Sequence, residues 1–462
     1  MRRFEAAATV VLLLYALHLT FPFTGHKWAI GVLLGVGLLT IAWHAAFEGC
    51  RWQMAPVYFL AATLPLYEAS RLLCGFWLPE LAGIAIGLLD FSAIALCLAM
   101  PIFRLPAPTG PYKIGTETRH LIDENRSDPL SDRPGGRREL MIQVWYPADA
   151  SAAGRYAPYR EKSITTLRSS HFALVKSHSI LTAKFARNSV RFPLLLYTPS
   201  WSGIRTESTA FVEELASHGY VVVGIDHPYS SNAVALPDGT IARRKFLGDE
   251  DYSSPAGFEF FIKTADEQID IRAKDARFVL DTLEQLDAKD PTGLLTGRLD
   301  LARVGIFGSS LGGGTSAEVC SVDRRFRAGV DLGGMISTKT AERGLPVPIL
   351  FLFEGIYEEP PFVDGTDLSA LSPPMHREVE FSMRQFASMK KLLSGRGSCW
   401  MTIKGIKHMH FFDLPLFTPV RQRPADAFRI VSVIRQHTVA FFNLRLKEVE
   451  LGRPESSSLT SP

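Results

Sequence analysis

The chain has 462 residues, of which 47% are hydrophobic and 21% charged, and its formal net charge is +3. A length beyond that of one ordinary domain predicts two or more structural units. The small net charge, without any basic run that carries interleaved aromatic residues, argues against a nucleic-acid-binding protein. The five cysteines form no CxxC pair and three of them precede residue 104, which argues against a disulfide framework and a structural zinc site.

Four apolar stretches fill the N-terminal part, at about 6–23, 28–47, 53–73 and 81–103. The first two contain no Asp, Glu, Lys or Arg and approach the roughly 20 residues that a helix needs to cross a bilayer. A signal peptide is the alternative for the first stretch, but no small-residue cleavage site follows it and further apolar stretches come after it. We therefore predict a transmembrane region of about four helices over residues 1–104.

Four spans would return the chain to the side on which it starts. Basic residues are more numerous on that side than on the opposite one. They are Arg2, Arg3, Arg51 and Arg104, against Lys27 and Arg71. Because cytoplasmic loops carry the excess of Lys and Arg, this pattern favours a multi-pass protein of the inner or plasma membrane whose remaining chain lies on the cytoplasmic side.

After the apolar region, a proline-rich segment predicts a linker and entry to the soluble domain over residues 105–125. Short apolar runs then alternate with helical patterns up to residue 450. The predicted strands are 140–147, 192–199, 220–228, 302–308, 327–334, 347–355 and 399–408, and the predicted helices are 207–219, 265–287, one from about 311, and 425–447. This alternation predicts an α/β fold with a mostly parallel sheet, helices on both faces, and its chemistry at the carboxyl ends of the strands. The tail, residues 451–462, is predicted to be disordered.

Residues Gly308–Gly312 (GSSLG) form a G-x-S-x-G sequence between a predicted buried strand and a helix. In that context the glycines allow a strained turn that exposes the serine at the edge of the sheet. Ser310 is the predicted nucleophile, because it has glycines two residues away on both sides and Ser309 does not. The N–H of Leu311 points to the same space and can stabilise an oxyanion. No G-K-[ST] sequence is present, which argues against a phosphate-binding loop.

A serine nucleophile needs a general base, and His408 directly follows the last predicted strand, where an imidazole would swing over Ser310. His410 is the alternative base. The triad acid must orient the imidazole, and two places in the sequence are suitable. Asp331 closes the strand that follows the predicted helix at 311. The candidates after the next strand are Glu354, Glu358 and Glu359, and spacing alone does not separate these from Asp331.

Several stretches of the sequence resemble one family. They are SHGYVVVGIDHPYS, FGSSLGG, FRAGVDLGGM and MTIKGIKHMHFFD, preceded by TGPYKIGTETRHLIDENR and RELMIQVWYPA. Over about Thr109 to Phe417 the chain is similar to the secreted-type (isoform II) platelet-activating factor acetylhydrolases and their bacterial relatives. The most specific piece is H-x-x-F-x-D, formed by His408, Phe411 and Asp413.

The resemblance implies that residues 126–450 are an α/β-hydrolase catalytic domain. It implies a calcium-independent serine esterase that removes short or oxidised acyl chains from phospholipids, without a metal or an organic cofactor. Expected partners are a lipid or small-molecule ester substrate and a membrane, and no oligomeric state or substrate-binding residue is indicated. Two alternatives stay open: a broad-specificity carboxylesterase or lipase, and a catalytically dead hydrolase-like membrane sensor.

In this family the triad acid follows the strand directly after the serine helix, which implies Asp331, with Glu354 as the replacement. An alignment without gaps places Gly333 at the position of the family's aspartate. The family's oxyanion loop, H-G-x-G-x-x-R-T, corresponds here to Pro199–Thr206 (PSWSGIRT), which keeps the Arg-Thr and lacks the His-Gly. The resemblance implies that Trp201 supplies the second oxyanion N–H beside that of Leu311.

Overall fold

The structure is a computed structural model that describes the chain apart from residues 1, 22–27, 76–77, 129, 132, 134, 188–189, 246–253, 355–371, 394–396, 418–423 and 448–462. The chain divides into two compact units, residues 1–104 with 158–176 and residues 105–157 with 177–462. The predicted disordered tail, residues 451–462, lies outside the described residues.

The first unit contains four long helices. They are α1 (Arg3–Thr20), α2 (Trp28–Trp43, continued by a π-helical turn, His44–Glu48), α3 (Ala55–Cys74) and α4 (Pro79–Ala99). Among the described residues, three helices are long and apolar enough to cross a membrane, namely Arg3–Thr20, Trp28–Glu48 and Pro79–Ala99. Helix α3 is less apolar, since it carries Glu68 and Arg71 as an ion pair and Pro65 in its interior.

A buried ion pair lies at one end of this helical unit. Both carboxylate oxygens of Glu5 accept hydrogen bonds from the Arg51 guanidinium at 2.7 Å, and Arg2 forms a second ion pair with Glu5 at 2.6 Å. Glu5 is fully buried. A charge in an apolar environment is costly unless it is paired, and this pairing explains how an acidic residue is accommodated in an apolar helix.

Residues 158–176 belong to the helical unit although they come later in the chain. Trp52 Nε1 donates a hydrogen bond to the Leu167 carbonyl at 2.7 Å. Phe103 makes edge-to-face contacts with Tyr159 and Phe172, with ring centroids 5.1 and 6.0 Å apart. The sequence analysis missed this association because the segment is polar and forms only short 3₁₀ turns, so it carries no periodic signal.

The second unit is built on one large sheet with helices around it. Its strands are β1 (Lys113–Ser127), β2 (Arg137–Ala148), β3 (Tyr156–Pro158), β4 (Lys176–Leu181), β5 (Phe192–Thr198), β6 (Val221–Asp226), β7 (Ala233–Ala235), β8 (Ile241–Arg243), β9 (Leu299–Ser309), β10 (Phe326–Leu332), β11 (Ile349–Glu354) and β12 (Cys399–Ile403). Its helices are α5 (Thr209–Ser217), α6 (Pro255–Ala288), α7 (Leu311–Val322), α8 (Thr338–Arg343), α9 (Pro373–Leu393) and α10 (Pro424–Phe442), and a π-helical turn (Asn443–Lys447) follows α10.

The large sheet has ten strands in the order β12-β11-β10-β9-β5-β6-β2-β1-β4-β3, and β7 and β8 form a separate hairpin. The six strands from β12 to β6 pair in parallel, and β2 pairs antiparallel with both β6 and β1. Every residue of β5, β6 and β11 is buried, as expected for parallel strands covered on both faces. The predicted α/β fold with a mostly parallel sheet is confirmed.

The structure places a strand within residues 105–125, which were predicted to be a linker and entry to the soluble domain. From Lys113 onward this segment forms β1, which pairs with β2 from Lys113↔Ala148 to Asp123↔Arg138 before a register shift. The strand escaped the sequence analysis because much of it is exposed, so its polar residues do not form the apolar run that marks a buried strand. The prolines of the segment all precede the strand.

A buried ionic network connects β2 with α6. Arg138 donates to both carboxylate oxygens of Asp275, at 3.1 and 2.6 Å, and Arg126 and His227 also donate to that carboxylate, at 2.6 and 2.8 Å. Asp275 is fully buried. Burial alone would raise the pKa of Asp275, but Arg138 and His227 hold it well below its usual range. The carboxylate is therefore ionised and compensated at neutral pH.

We expect Asp275→Ala to lower the free energy of unfolding by about 3–5 kcal/mol, because it leaves the Arg138 guanidinium buried with less compensation. Urea denaturation of the detergent-solubilised full chain measures the loss. Asp270→Ala is the matched control, since Asp270 lies on the same helix and pairs with the exposed Lys274. Its expected change is within about 1 kcal/mol. Equal denaturation midpoints for the two variants would contradict this account of the network.

Candidate active site

Strand β9 leads into helix α7 through a tight turn at Ser310. The backbone of Ser310 has φ +55° and ψ −124°, a conformation that is uncommon and strained for a residue other than glycine. The flanking glycines are required by close backbone contacts. A Cβ on Gly308 would lie 2.2 Å from the Gly312 carbonyl oxygen, and one on Gly312 would lie 2.0 Å from that of Thr198. The turn therefore excludes side chains at both positions.

The two serines of the turn differ in their environment. Ser310 lines an open cavity, and its backbone N–H donates to the Leu332 carbonyl at 2.9 Å, which ties the turn to β10. Ser309 is fully buried, and its hydroxyl donates to the Phe411 carbonyl at 2.9 Å. Of the two serines, only Ser310 lines the cavity where a substrate could enter, and it remains the predicted nucleophile.

His408 begins a 3₁₀ turn, His408–Phe411, shortly after β12. Two hydrogen bonds hold the turn and the residues that follow it at the C-terminal end. Phe411 accepts the hydrogen bond from Ser309, and the Asp413 carboxylate accepts from the N–H of Ala210 at 3.3 Å, in the first turn of α5. The H-x-x-F-x-D sequence thus fixes the histidine loop against the serine turn and a helix N-terminus.

The imidazole of His408 is half-buried and lines the same cavity as Ser310. Its Nδ1 lies 3.8 Å from Glu354 Oε1. Burial lowers the pKa of His408 below its usual range, and the Glu354 carboxylate opposes part of that shift. No hydrogen bond joins Ser310 Oγ to His408 among the described residues, and such contacts commonly tighten when substrate binds. The alternative base, His410, turns back to the backbone of Lys407, 2.7 Å from its nitrogen.

Among the described residues, no hydrogen bond or ion pair joins the predicted acid Asp331 to the imidazole, and its Oδ1 lies at the start of α7. Its Oδ1 accepts a hydrogen bond from the Gly334 N–H at 2.6 Å and lies 1.9 Å from where a Cβ on Gly313 would be. Complete burial raises the pKa of Asp331 to about 8. The other candidates, Glu358 and Glu359, lie outside the described residues.

The oxyanion loop, 199–206, keeps a defined shape without the His-Gly sequence. The Glu207 carboxylate accepts from the Ser200 N–H at 2.5 Å and from its hydroxyl at 2.9 Å. Arg272 donates to the carbonyl oxygens of Pro199 and Ser200, at 2.7 and 3.1 Å. The sequence analysis missed both residues. Glu207 directly follows the retained Arg-Thr, which could have been a signal, whereas Arg272 sits in a long helix that contains many charges.

Trp201 and Leu311 both line the cavity beside Ser310. Within the described part of the chain, neither backbone N–H has a hydrogen-bond acceptor. Leu311 is also the first residue of α7, where the helix dipole favours negative charge. Both groups are therefore available to stabilise a developing oxyanion, as the sequence predicts, and this assignment remains a prediction.

The cavity has a volume of about 270 Å³ and is mostly apolar. Its aromatic lining consists of Trp201, Phe261, Phe353, Phe381, Phe386 and Trp400. Trp400 stacks on Phe353 with ring centroids 4.6 Å apart, and Trp201 stacks on Phe261 at 5.6 Å. Stacked rings resist collapse of the walls, so the cavity suits an apolar group of considerable size next to the serine.

One group of possible metal ligands lies elsewhere. Among the described residues, Glu5, His44 and Glu48 in the helical unit have donor atoms within 4.8 Å of one another. The carboxylate of Glu5 is already occupied by Arg51 and Arg2, so a cation there would compete with two guanidinium groups. These residues do not fit a metal site.

A serine held in a strained strand-to-helix turn, at the carboxyl edge of a mostly parallel sheet, defines the α/β-hydrolases. The present protein has this architecture. Within this class, the chain belongs to the family of platelet-activating factor acetylhydrolase, isoform II, whose family model matches residues 99–422.

Relatives named for ester hydrolysis share part of the sequence. A probable 1-alkyl-2-acetylglycerophosphocholine esterase of Arthroderma benhamiae is 24% identical over 54% of this chain and 64% of its own length. The platelet-activating factor acetylhydrolase of Canis lupus familiaris is 25% identical over half of each chain (50% and 50%). The chain thus spans between half and two thirds of these relatives. The solved ferulic acid esterase of Streptomyces cinnamoneus is 29% identical with a TM-score of 0.56, and the match covers 77% of this chain and 97% of that one.

We expect Glu207→Ala to lower kcat for ester hydrolysis about 10- to 100-fold with little change in KM, because the Trp201 N–H is useful only when the loop is held in place. Steady-state kinetics on a p-nitrophenyl ester measures the effect. Glu207→Gln should retain most activity, because the amide oxygen can still accept from the Ser200 N–H. Equal losses in both variants would show that the charge of Glu207, rather than its contact with the loop, is what matters.

Proposed function

We propose that the protein is a serine ester hydrolase that acts on phospholipid-type esters with short or oxidised acyl chains. The observation that carries this proposal is the strained Ser310, which opens on an apolar cavity also lined by His408. Membership of the acetylhydrolase family supports the substrate class. A catalytically dead sensor would have no need to maintain a strained nucleophile turn next to a histidine.

The reaction proceeds through an acyl-enzyme. His408 accepts the proton of Ser310 Oγ, and the serine attacks the ester carbonyl. The tetrahedral oxyanion receives hydrogen bonds from the N–H groups of Leu311 and Trp201. The protonated imidazole then gives its proton to the leaving alcohol. A water molecule, deprotonated by the same histidine, releases the carboxylic acid and regenerates Ser310.

The walls of the cavity support a second candidate, an esterase for aromatic acyl groups. An acetyl group occupies a small fraction of about 270 Å³, whereas six aromatic side chains line the space. Flat rings of this kind suit an aromatic or medium-length acyl group. The structural likeness to a ferulic acid esterase agrees with this possibility.

A fluorophosphonate probe and an ester panel test both candidates on the full chain in detergent. We expect the probe to label the wild type and Ser309→Ala but not Ser310→Ala, because labelling requires an activated serine. The panel comprises acetyl, octanoyl and feruloyl esters together with a phosphatidylcholine that carries a short sn-2 chain. Hydrolysis of the phosphatidylcholine supports the lipid esterase, and a preference for the feruloyl ester supports the aromatic one. Failure of the folded wild type to react with the probe would contradict the catalytic proposal.

The helical unit is proposed to anchor the enzyme as a four-helix, multi-pass membrane segment. Three of its helices have the length and composition of membrane spans. The paired Arg2 and Arg51 lie at the end of the unit where the chain begins. The positive-inside rule then favours the cytoplasm for this end and for the hydrolase that follows.

Two native cysteines test this topology, because Cys50 follows α2 and Cys74 ends α3, and both are exposed. In variants that keep one of the two and lack the other four cysteines, a membrane-impermeant maleimide should label Cys74 in intact cells. It should label Cys50 only after lysis. The reverse pattern would place the hydrolase outside the cytoplasm, and labelling of both in intact cells would contradict the membrane-spanning arrangement.

A further inference from the structure

The catalytic histidine needs a partner for its second ring nitrogen. In serine hydrolases a carboxylate that accepts a hydrogen bond from Nδ1–H fixes the imidazole and stabilises its protonated form. The Nδ1 edge of His408 faces the ends of two strands, β10 and β11. A Cβ on Gly333 would lie 3.2 Å from Nδ1, and Glu354 Oε1 lies 3.8 Å from it.

Directly after β10, the position nearest the imidazole carries no side chain. That position is Gly333, whose φ of +66° favours glycine and whose N–H donates to the Leu352 carbonyl at 2.9 Å. A Cβ there would lie 2.7 Å from the ring of Phe411. A carboxylate for His408 must therefore come from another residue.

Asp331 lies two residues earlier on the same face of β10, but its geometry and charge are both unsuitable. Its carboxyl group is directed at Gly334 and at the space over Gly313, on the side of α7. Burial without a cationic partner raises its pKa to about 8, which disfavours the ionised form. A neutral carboxylic acid cannot stabilise an imidazolium ion electrostatically. Its Oδ1 accepts from the Gly334 N–H, and its Oδ2 has no hydrogen-bond partner among the described residues.

Glu354 is the carboxylate that lies within 4 Å of Nδ1 among the described residues. It is the last residue of β11, which lies between β10 and β12, so its longer side chain starts beside the strand that leads to His408. It is only 7% exposed, and its Oε2 has no hydrogen-bond partner among the described residues. An unpaired buried carboxylate oxygen is costly, and a protonated imidazole would compensate it. A small side-chain rotation would shorten the present 3.8 Å separation to a hydrogen bond.

We infer that Glu354 is the triad acid of this enzyme, replacing an aspartate on β10. The inference rests on the proposed function. In each half-reaction the proton of Ser310 Oγ or of water moves to Nε2 of His408, while Nδ1 keeps its own proton and donates it as a hydrogen bond to Glu354. The glutamate accepts this hydrogen bond and takes no proton in the reaction.

The test compares Glu354→Gln with Asp331→Asn, two isosteric changes that each remove one carboxyl group. The full chain in detergent is assayed for turnover of a p-nitrophenyl ester and for its rate of inactivation by a fluorophosphonate. Glu354→Gln should lower both rates about 10³- to 10⁴-fold, the scale expected when a triad acid becomes an amide. Asp331→Asn should stay within about tenfold of the wild type.

The pH profile separates a triad acid from a residue that merely supports the fold. Activity needs neutral His408, so kcat/KM rises with pH through the pKa of that residue. Glu354 raises this pKa, and its removal should move the rising limb to lower pH. The position of the limb does not depend on the fraction of folded protein, so it remains informative if the variant is destabilised.

If the rising limb of the pH profile of Glu354→Gln stays at the pH of the wild type, the inference is overturned. Near-wild-type rates in Glu354→Gln, together with a large loss of activity in Asp331→Asn, would also overturn it. Both outcomes leave the esterase itself intact. Failure of the proposed function would instead appear in the wild type, as folded protein that neither reacts with the fluorophosphonate at Ser310 nor hydrolyses any ester.

Discussion

The close backbone contact between the serine turn and the end of β5 is the constraint on which the rest of the site depends. Gly312 approaches the carbonyl of Thr198 so closely that a Cβ would lie 2.0 Å from it. This contact fixes the relative positions of three groups. They are the strained Ser310, the first N–H of α7, and the oxyanion loop that begins at Pro199. Strain at Ser310 costs free energy, and the packing of β9, α7 and β5 around it supplies the compensation.

Buried polar side chains connect the loops of the site to the helices around the sheet. Arg272 and Glu207 hold the oxyanion loop from the two sides, and Arg272 also donates to Ser230 in the loop after β6. On the other side of the nucleophile, Asp413 attaches the histidine loop to α5. Loops alone would leave the catalytic groups mobile. Here they are fixed by buried hydrogen bonds to helices and strands, and such bonds strengthen in a low dielectric.

The sequence predicted those parts of the fold that carry a strong local signal. The strand at 302–308, the glycine pair around Ser310 and the strand before His408 were identifiable because buried parallel strands are apolar throughout and the turn requires glycine. Strand β1 was taken for a linker because its exposed face is polar. Helix α9, whose Phe381 and Phe386 line the cavity, was not among the predicted helices.

The partner of His408 could not be predicted, for a geometric reason. Spacing in the sequence gives distances along one strand only. The Nδ1 atom of His408, however, faces the ends of two neighbouring strands. A glycine at 333 and a glutamate at 354 are each unremarkable in the sequence. Their relation becomes visible only when β10 and β11 lie side by side. The aromatic residues that line the cavity come from several separate elements, so local sequence patterns could not predict this lining either.

The most direct test of the central claim is to trap the acyl-enzyme. The full chain is mixed with a p-nitrophenyl ester, quenched in acid within one turnover, and digested for peptide mass spectrometry. The account predicts the acyl mass on Ser310, together with a burst of one p-nitrophenol per active site if deacylation is slow. Acylation of Ser309, or continued hydrolysis by Ser310→Ala with no adduct on the 308–312 turn, would contradict it.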